Sequence, residues 1–274
     1  VSLVRRAVVV LVAGSLAACA ANVKTPTAPV LSRAEIDAIV ASPDRSDADR
    51  RNDVRRKPAE MLAFIGVRPG MVALDLVAGG GYTTELLARA AGPTGTVYGQ
   101  SRPPAVASPP VAPAAPAEGA PAPAPRRTTA MALAERATKP AAANIVSVVQ
   151  PLENPAPIDR ATDGLDLVTL MFNYHDLGYL PVDRARMNAA VFRALKPGGS
   201  YVVADHSGRP GTGISEASTL HRIEEAFLRR EVEAAGFRLA AEGTFLRNPA
   251  DPRDREEPEP PMPKDEFVLR FVKP

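Results

Sequence analysis

The chain has 274 residues, with 33 lysines and arginines against 31 aspartates and glutamates, and 45% of it is apolar. That length allows one large α/β domain with a sizeable core, and the near balance of charge excludes the strongly basic footprint of a nucleic-acid-binding domain. A single cysteine excludes an internal disulfide, and the absence of tryptophan leaves little stacking platform for single-stranded nucleic acid, so a small or lipidic partner is expected.

Taken in chain order, the first signal is a targeting segment. Arg5 and Arg6 precede an apolar run from Ala7 to Ala13 that is too short to span a bilayer as a helix of about 20 residues. Residues 1–18 therefore read as a signal peptide. Leu16-Ala17-Ala18-Cys19 follows and resembles the lipobox of bacterial lipoproteins. The resemblance implies cleavage before Cys19 and acylation of its thiol and new amino terminus, which would make a membrane the partner of lipidated Cys19. Ala20 resembles the outer-membrane sorting choice, which implies a lipid anchor on the periplasmic face of that membrane. Residues 19–30 read as a tether, and 31–274 as the domain.

Asp44 to Lys57 alternates acidic and basic residues, by default a solvated helix face. Met61, Leu62 and Ile65 then form a helical apolar stripe. Val72 to Val77 reads as a strand broken only by Asp75, followed by Gly79-Gly80-Gly81 and a helix over Thr83 to Ala91. Thr96 to Gly99 is the second predicted strand. Residues 102–127, a run of Pro and Ala, form an insertion that cannot bury enough surface to fold alone. Further strands are predicted at Asn144 to Val149 and Leu165 to Phe172. A helix from Val182 to Leu195 ends in the turn Lys196-Pro197-Gly198-Gly199, and Ser200 to Ala204 is the fifth strand. A helix over Leu220 to Ala235 stops at Gly236. Strands at Phe237 to Phe245 and Glu266 to Val272 enclose the charged, proline-rich segment Asn248 to Lys264, either a disordered loop or a lid. The alternation of strand and helix predicts an α/β domain on a mainly parallel sheet.

In such a sheet the ligand crevice lies at the carboxyl ends of the strands, so Asp75 and the glycines sit where a cofactor binds. Glycines let the backbone turn sharply and approach a ligand with no Cβ in the way. Val72-Ala73-Leu74-Asp75-Leu76-Val77-Ala78-Gly79-Gly80-Gly81-Tyr82 resembles the first motif of class I S-adenosylmethionine-dependent methyltransferases. Arg193-Ala194-Leu195-Lys196-Pro197-Gly198-Gly199-Ser200-Tyr201-Val202-Val203 is similar to the segment that enters their fifth strand, and the pair is more specific than either motif alone. From about Ile36 to Pro274 the chain resembles a group of bacterial methyltransferases with a Gly-Gly-Gly-Tyr turn. The resemblance implies a Rossmann-like three-layer sandwich, with a mainly parallel seven-stranded sheet whose last strand is antiparallel.

It also implies S-adenosylmethionine as cofactor and methyl transfer to a small-molecule acceptor. Asp75 would bind the amino group of the methionine part, and Gly79, Gly80 and Gly81 would let the backbone pass close to it. Tyr82, Gln100 and Asn173 complete the implied cofactor set. Two positions depart from the family: Gln100 stands where an acidic residue usually binds the ribose hydroxyls, and Val77 where many relatives have a glycine. No Asn-Pro-Pro-Tyr signature of the amino-methylating nucleic-acid enzymes is present.

All three histidines fall where a base for the acceptor is needed. His175 and Asp176 follow the fourth strand, Asp205 and His206 follow the fifth, and His221 begins the predicted next helix. We take His175, Asp176, His206 and His221 as the catalytic candidates, with Asp176 or Asp205 setting a tautomer. The spacing fits no compact metal motif, so no metal ligand is assigned, although three histidines and a carboxylate remain an alternative for a divalent ion. Export and a cytoplasmically made cofactor are at odds. A non-catalytic envelope module that keeps the scaffold is therefore the alternative to an enzyme.

Overall fold

The computed structural model describes residues 28–104 and 127–274. The signal peptide, Cys19, most of the tether and most of the Pro/Ala insertion lie outside the described residues. Three helices precede the sheet. α1 (Arg33–Val40) starts at a capping box in which Ser32 and Glu35 satisfy each other's backbone N–H groups. α2 (Asp47–Arg56) is capped by Ser46, and α3 (Pro58–Ile65) has proline in its first turn and stops at Gly66, whose φ is 72°.

The sheet is built from β1 (Val72–Leu76), β2 (Thr96–Ser101), β3 (Ile145–Val149), β4 (Leu165–Met171), β5 (Leu195–His206), β6 (Arg238–Gly243) and β7 (Glu266–Val272). Their spatial order is β3-β2-β1-β4-β5-β7-β6, and β7 runs antiparallel to both its neighbours while the other strands are parallel. α4 (Tyr82–Ala91) and α5 (Thr129–Ala137) pack towards β1, β2 and β3. α6 (Arg184–Ala194) and α8 (Glu225–Ala234) cover the other face, and the short α7 (Ala217–Leu220) precedes α8. Strand alternation divides the core between the faces. Val202 and Ala204 of β5 join Ala73 and Leu87 in one cluster, whereas Tyr201 and Val203 join Leu74, Met187 and Leu228 in the other. The expected three-layer architecture with its antiparallel last strand is the one observed.

Local differences from the sequence reading have physical causes. The charged segment before α3 is more than a solvated face, since Arg45 and Asp49 are both buried. α6 begins two residues later than expected, because the side chain of Asp183 caps it by accepting from the N–H of Arg186. The single helix expected over Leu220 to Ala235 is two, with His221 between them at a left-handed φ of 50°. The break follows from Arg222, which is completely buried. Its guanidinium donates to Asp251 at 2.8 and 3.2 Å and to the carbonyls of Ser207 and Arg255 at 3.0 Å, a position no continuous helix supplies. Ile223 beside it forms a parallel bridge with Ser207.

The same contact orders the segment Asn248 to Lys264, which has no helix or strand. Asp251 also accepts from the N–H of Asp265 at 2.7 Å, and Asp265 accepts from the N–H of Asn248 at 2.8 Å. Removing one member of a fully buried ion pair leaves the other charged and unsolvated, at a cost of about 3–5 kcal/mol. Asp251→Ala is therefore expected to lower unfolding stability in urea by about that amount and to open residues 248–264 to protease. A loss under about 1 kcal/mol with the segment still resistant would show that this pair does not anchor it.

Candidate active site

The turn after β1 is held by Gln100. Its Oε1 accepts from the N–H of Val77 at 3.0 Å, and its Nε2 donates to the carbonyl of Gln150 at 2.6 Å. Both ends of the amide are thus spent on backbone, and the side chain is fully buried. The glutamine that the family pattern places at the ribose is instead a clamp between β1, β2 and the chain after β3. It fixes Val77 at φ 52°, a left-handed conformation that a β-branched residue adopts only under strain.

Beyond the turn lies an open cavity of about 550 Å³. Asp75, Gly79, Gly80, Tyr82 and Asn173 line it, together with Arg56 from α2 and Arg136 from α5. A Cβ on Gly80 would meet nothing within 4 Å, and on Gly79 only a carbonyl at 3.8 Å, so these two present bare backbone to the cavity. Gly81 does a different job. A Cβ there would collide with Arg136 at 2.7 Å and Leu133 at 2.8 Å, so this glycine allows α5 to approach the turn.

Asp75 sits at the floor of the cavity and is 2% exposed. One carboxylate oxygen accepts from Thr84 of α4 and the other from Thr169 of β4, each at 2.7 Å. Burial raises its pKa to about 6, against the pull of those two hydroxyls and of the Arg56 charge. Arg56 itself carries a buried Nε with no hydrogen-bond partner. Its guanidinium lies 4.6 Å from the ring centre of Phe172 and 5.3 Å from that of Tyr82, and burial, then the neighbouring Arg55 charge, lower its pKa. The Tyr82 hydroxyl donates to Asp53 at 2.7 Å, and Nδ2 of Asn173 to the carbonyl of Met171 at 2.7 Å. Arg136 grips Asp49 through two hydrogen bonds of 2.7 and 2.8 Å and donates to the carbonyl of Gly80 at 2.6 Å. Asp49, Arg136, Thr84 and Thr169 carried no signal of their own in the sequence.

The catalytic candidates do converge. The ring of His175 lies 5.4 Å from that of His206 and 5.6 Å from that of His221. Asp205, fully buried, accepts from the backbone N–H of His175 at 2.7 Å and meets its Nδ1 at 2.6 Å. Nε2 of His175 lies 3.2 Å from Asp176. Burial works against the charged imidazole, but hydrogen bonds to Asp176 and Asp205 outweigh it and lift His175 to about 9. His206 turns instead to Glu266, 3.0 Å from its Nδ1 but not aligned for a hydrogen bond, and Glu266 is paired with Arg55 at 2.6 Å. His221 is not the start of a helix as expected but the left-handed end of α7.

No protein-family model and no curated protein matches the chain. Solved structures do. An S-adenosylmethionine-dependent methyltransferase from Aquifex aeolicus aligns over 89% of this chain and 100% of its own, with a TM-score of 0.53 and 17% identity. An arsenic(III) S-adenosylmethionine methyltransferase from Chlamydomonas reinhardtii aligns over 87% of this chain and 73% of its own, with a TM-score of 0.50 and 18% identity. The fold is that of class I methyltransferases. In that frame Asp75 lies near the end of β1 with the glycine turn after it, His175 follows β4, His206 ends β5, and His221 follows the short α7.

The folded-state pKa of Asp75 lies above the ordinary 3.8, so between about pH 4 and 6 the folded protein keeps a proton that the unfolded chain has released. This contribution to stability is complete at low pH and lost as pH rises through about 6. Asp75→Asn removes the buried charge while keeping the shape. It is expected to raise the Tm of the unliganded protein at pH 7 by several degrees and to flatten the pH dependence between 4 and 7. An unchanged or lower Tm at pH 7, with the slope intact, would mean the carboxylate is not the strained group.

Proposed function

We propose that the protein is an S-adenosylmethionine-dependent methyltransferase acting on a small-molecule acceptor. The observation that carries the reading is a glycine turn opening on a cavity with a buried carboxylate at its floor, set in the methyltransferase fold. The donor set suits this cofactor. Asp75 offers negative charge to the methionine amino group, and Arg56, unpaired among the described residues, offers positive charge to the carboxylate. Bare backbone at Gly79 and Gly80 leaves room for the chain between them. With Gln100 committed to backbone and Asp49 buried against Arg136, Glu135, whose partner Arg127 is an exposed side chain, is the cavity carboxylate most available to the ribose hydroxyls. Bound there, the cofactor supplies an electrophilic methyl group. The residues of the chain then align an acceptor and take its proton, for which His206 and His221 are the candidates, while His175, lifted to about 9 by its two carboxylates, is charged at neutral pH and orients the group.

Gln100 and the strained Val77 also favour a second reading, a ligand-binding module that has lost chemistry and kept the scaffold. Calorimetric titration with S-adenosylmethionine and S-adenosylhomocysteine separates the two from the start. One saturable site is expected, abolished by Asp75→Ala and weakened at least about tenfold by Arg56→Ala, the scale of one charge-assisted hydrogen bond. A folded chain that binds neither ligand would leave only the module.

The lipid anchor on Cys19, with the protein on the periplasmic face of the outer membrane, belongs to the same proposal and rests on the lipobox resemblance alone. Metabolic labelling with palmitate should mark the wild-type chain and not Cys19→Ser. Absence of label in the wild type would return the protein to the compartment where its cofactor is made.

A further inference from the structure

Next to the cofactor cavity, the same edge of the sheet carries a second constellation. Nε2 of His175 lies 3.2 Å from Oδ1 of Asp176, and Nδ1 of His221 lies 3.9 Å from that same oxygen. One ligand atom from each of the three residues falls within 4.8 Å of both others. In a tetrahedral site with bonds of about 2.0–2.2 Å, neighbouring donors are about 3.3–3.6 Å apart. The widest separation therefore has to close by at most about 1.5 Å for the three atoms to share one ion.

The surroundings supply what a metal ligand needs beyond its own donor atom. Nδ1 of His175 faces Asp205 at 2.6 Å, which fixes the ring and leaves Nε2 as the donor to an ion. The nitrogen of His221 that faces away from Asp176 lies 3.9 Å from Glu256. Tyr179 donates its hydroxyl to Asp176 and steadies it. His221 sits at a strained φ of 50° between α7 and the buried Arg222, with its ring 5.6 Å from that of His175.

The charge at this place is unusual for this protein. Several other buried carboxylates have cationic partners: Glu85 has Arg89, Arg136 and Lys139, Asp49 has Arg136, and Asp251 has Arg222. Among the described residues no lysine or arginine pairs with Asp176, Asp205 or Glu256. Among the described residues only imidazoles face Asp176 and Asp205, and a divalent cation taking the place of a proton on Nε2 of His175 would add positive charge there.

We infer that His175, Asp176 and His221 form a binding site for a divalent transition-metal ion. Two imidazoles and one carboxylate favour ions such as Zn²⁺, Co²⁺ or Fe²⁺ over Mg²⁺ and Ca²⁺, which take oxygen ligands. Three protein ligands leave at least one coordination position open, and the 27% and 37% exposure of the Asp176 and His221 side chains puts that position on the solvent side. The site stands on its own residues and does not depend on methyl transfer.

The full chain, stripped with chelator, is titrated with Co²⁺ followed by visible absorption and with Zn²⁺ by calorimetry. One equivalent of either ion is expected, with the intense visible bands of low-coordinate Co²⁺. His221→Ala and Asp176→Asn should each weaken binding at least about tenfold, and Asp205→Asn, which frees the His175 ring, by about 10–100-fold. His221 is partly exposed, so its variant tests the site with little risk to folding, which thermal unfolding confirms. Failure of the folded wild-type chain to take up a stoichiometric ion overturns the inference, as does uptake that survives both His221→Ala and Asp176→Asn. Titration of the same samples with S-adenosylmethionine keeps failure of this site distinct from failure of the methyltransferase reading.

Discussion

Asp75 places a carboxylate where the sheet admits almost no water, and the arrangement around it is a response to that. A buried ionised group must be hydrogen-bonded or give up its charge. Two threonines answer, one from the helix after the glycine turn and one from the neighbouring strand. Three elements are thereby joined at a single side chain. The register that sets Asp75 opposite Thr169 and Gly99 leaves Leu133 space over the backbone at Gly99, where a Cβ would lie 2.5 Å from it. A carboxylate kept at this expense to the fold is explained better by a ligand than by packing, which the uncharged Asn would serve as well.

Charge also positions the elements that no sheet hydrogen bond reaches. Glu85, buried in α4, draws Arg89, Arg136 and Lys139, while Arg136 continues to Asp49 in α2. Burying such groups costs desolvation that their attraction roughly repays, so the network is better read as specifying geometry than as adding stability. Its effect is to bring α5 back over the turn from the far side of the insertion. The cavity wall formed by Arg127, Glu135 and Arg136 is therefore set by where α5 docks.

This division explains what was legible in the sequence. Periodicity and turn residues located every strand and most helices, because β1, β4 and β5 are bounded by glycine or charge and bury both faces. Asp75, Gly79 and Gly80 were legible for the same local reason. The break at His221 was not, because it depends on an Arg222–Asp251 pair whose members lie 29 residues apart in the chain. Nor was the Arg136–Asp49 contact, across 87 residues. Gln100 was misplaced at the ribose because its strand runs on to Ser101 and its amide faces backbone, a distinction that residue type alone does not carry.

The strained positions show how the two sites are joined. Val77, Phe172 and His221 all have left-handed backbones without being glycine. Val77 and Phe172 leave the carboxyl ends of β1 and β4, and His221 sits at the histidine cluster. Phe172 is common ground: Arg55 and Arg56 lie over its ring at 4.8 and 4.6 Å, and His206 stacks against it at 5.6 Å. Arg56 reaches the cofactor cavity, whereas Arg55 holds Glu266, which faces His206. A ligand that claims Arg56 must therefore work against the same ring that packs on the histidine cluster. A bulky residue kept in a conformation suited to glycine is hard to explain if either site works alone. On the proposed reading it would hold an aromatic wall between the cavity and the histidine cluster.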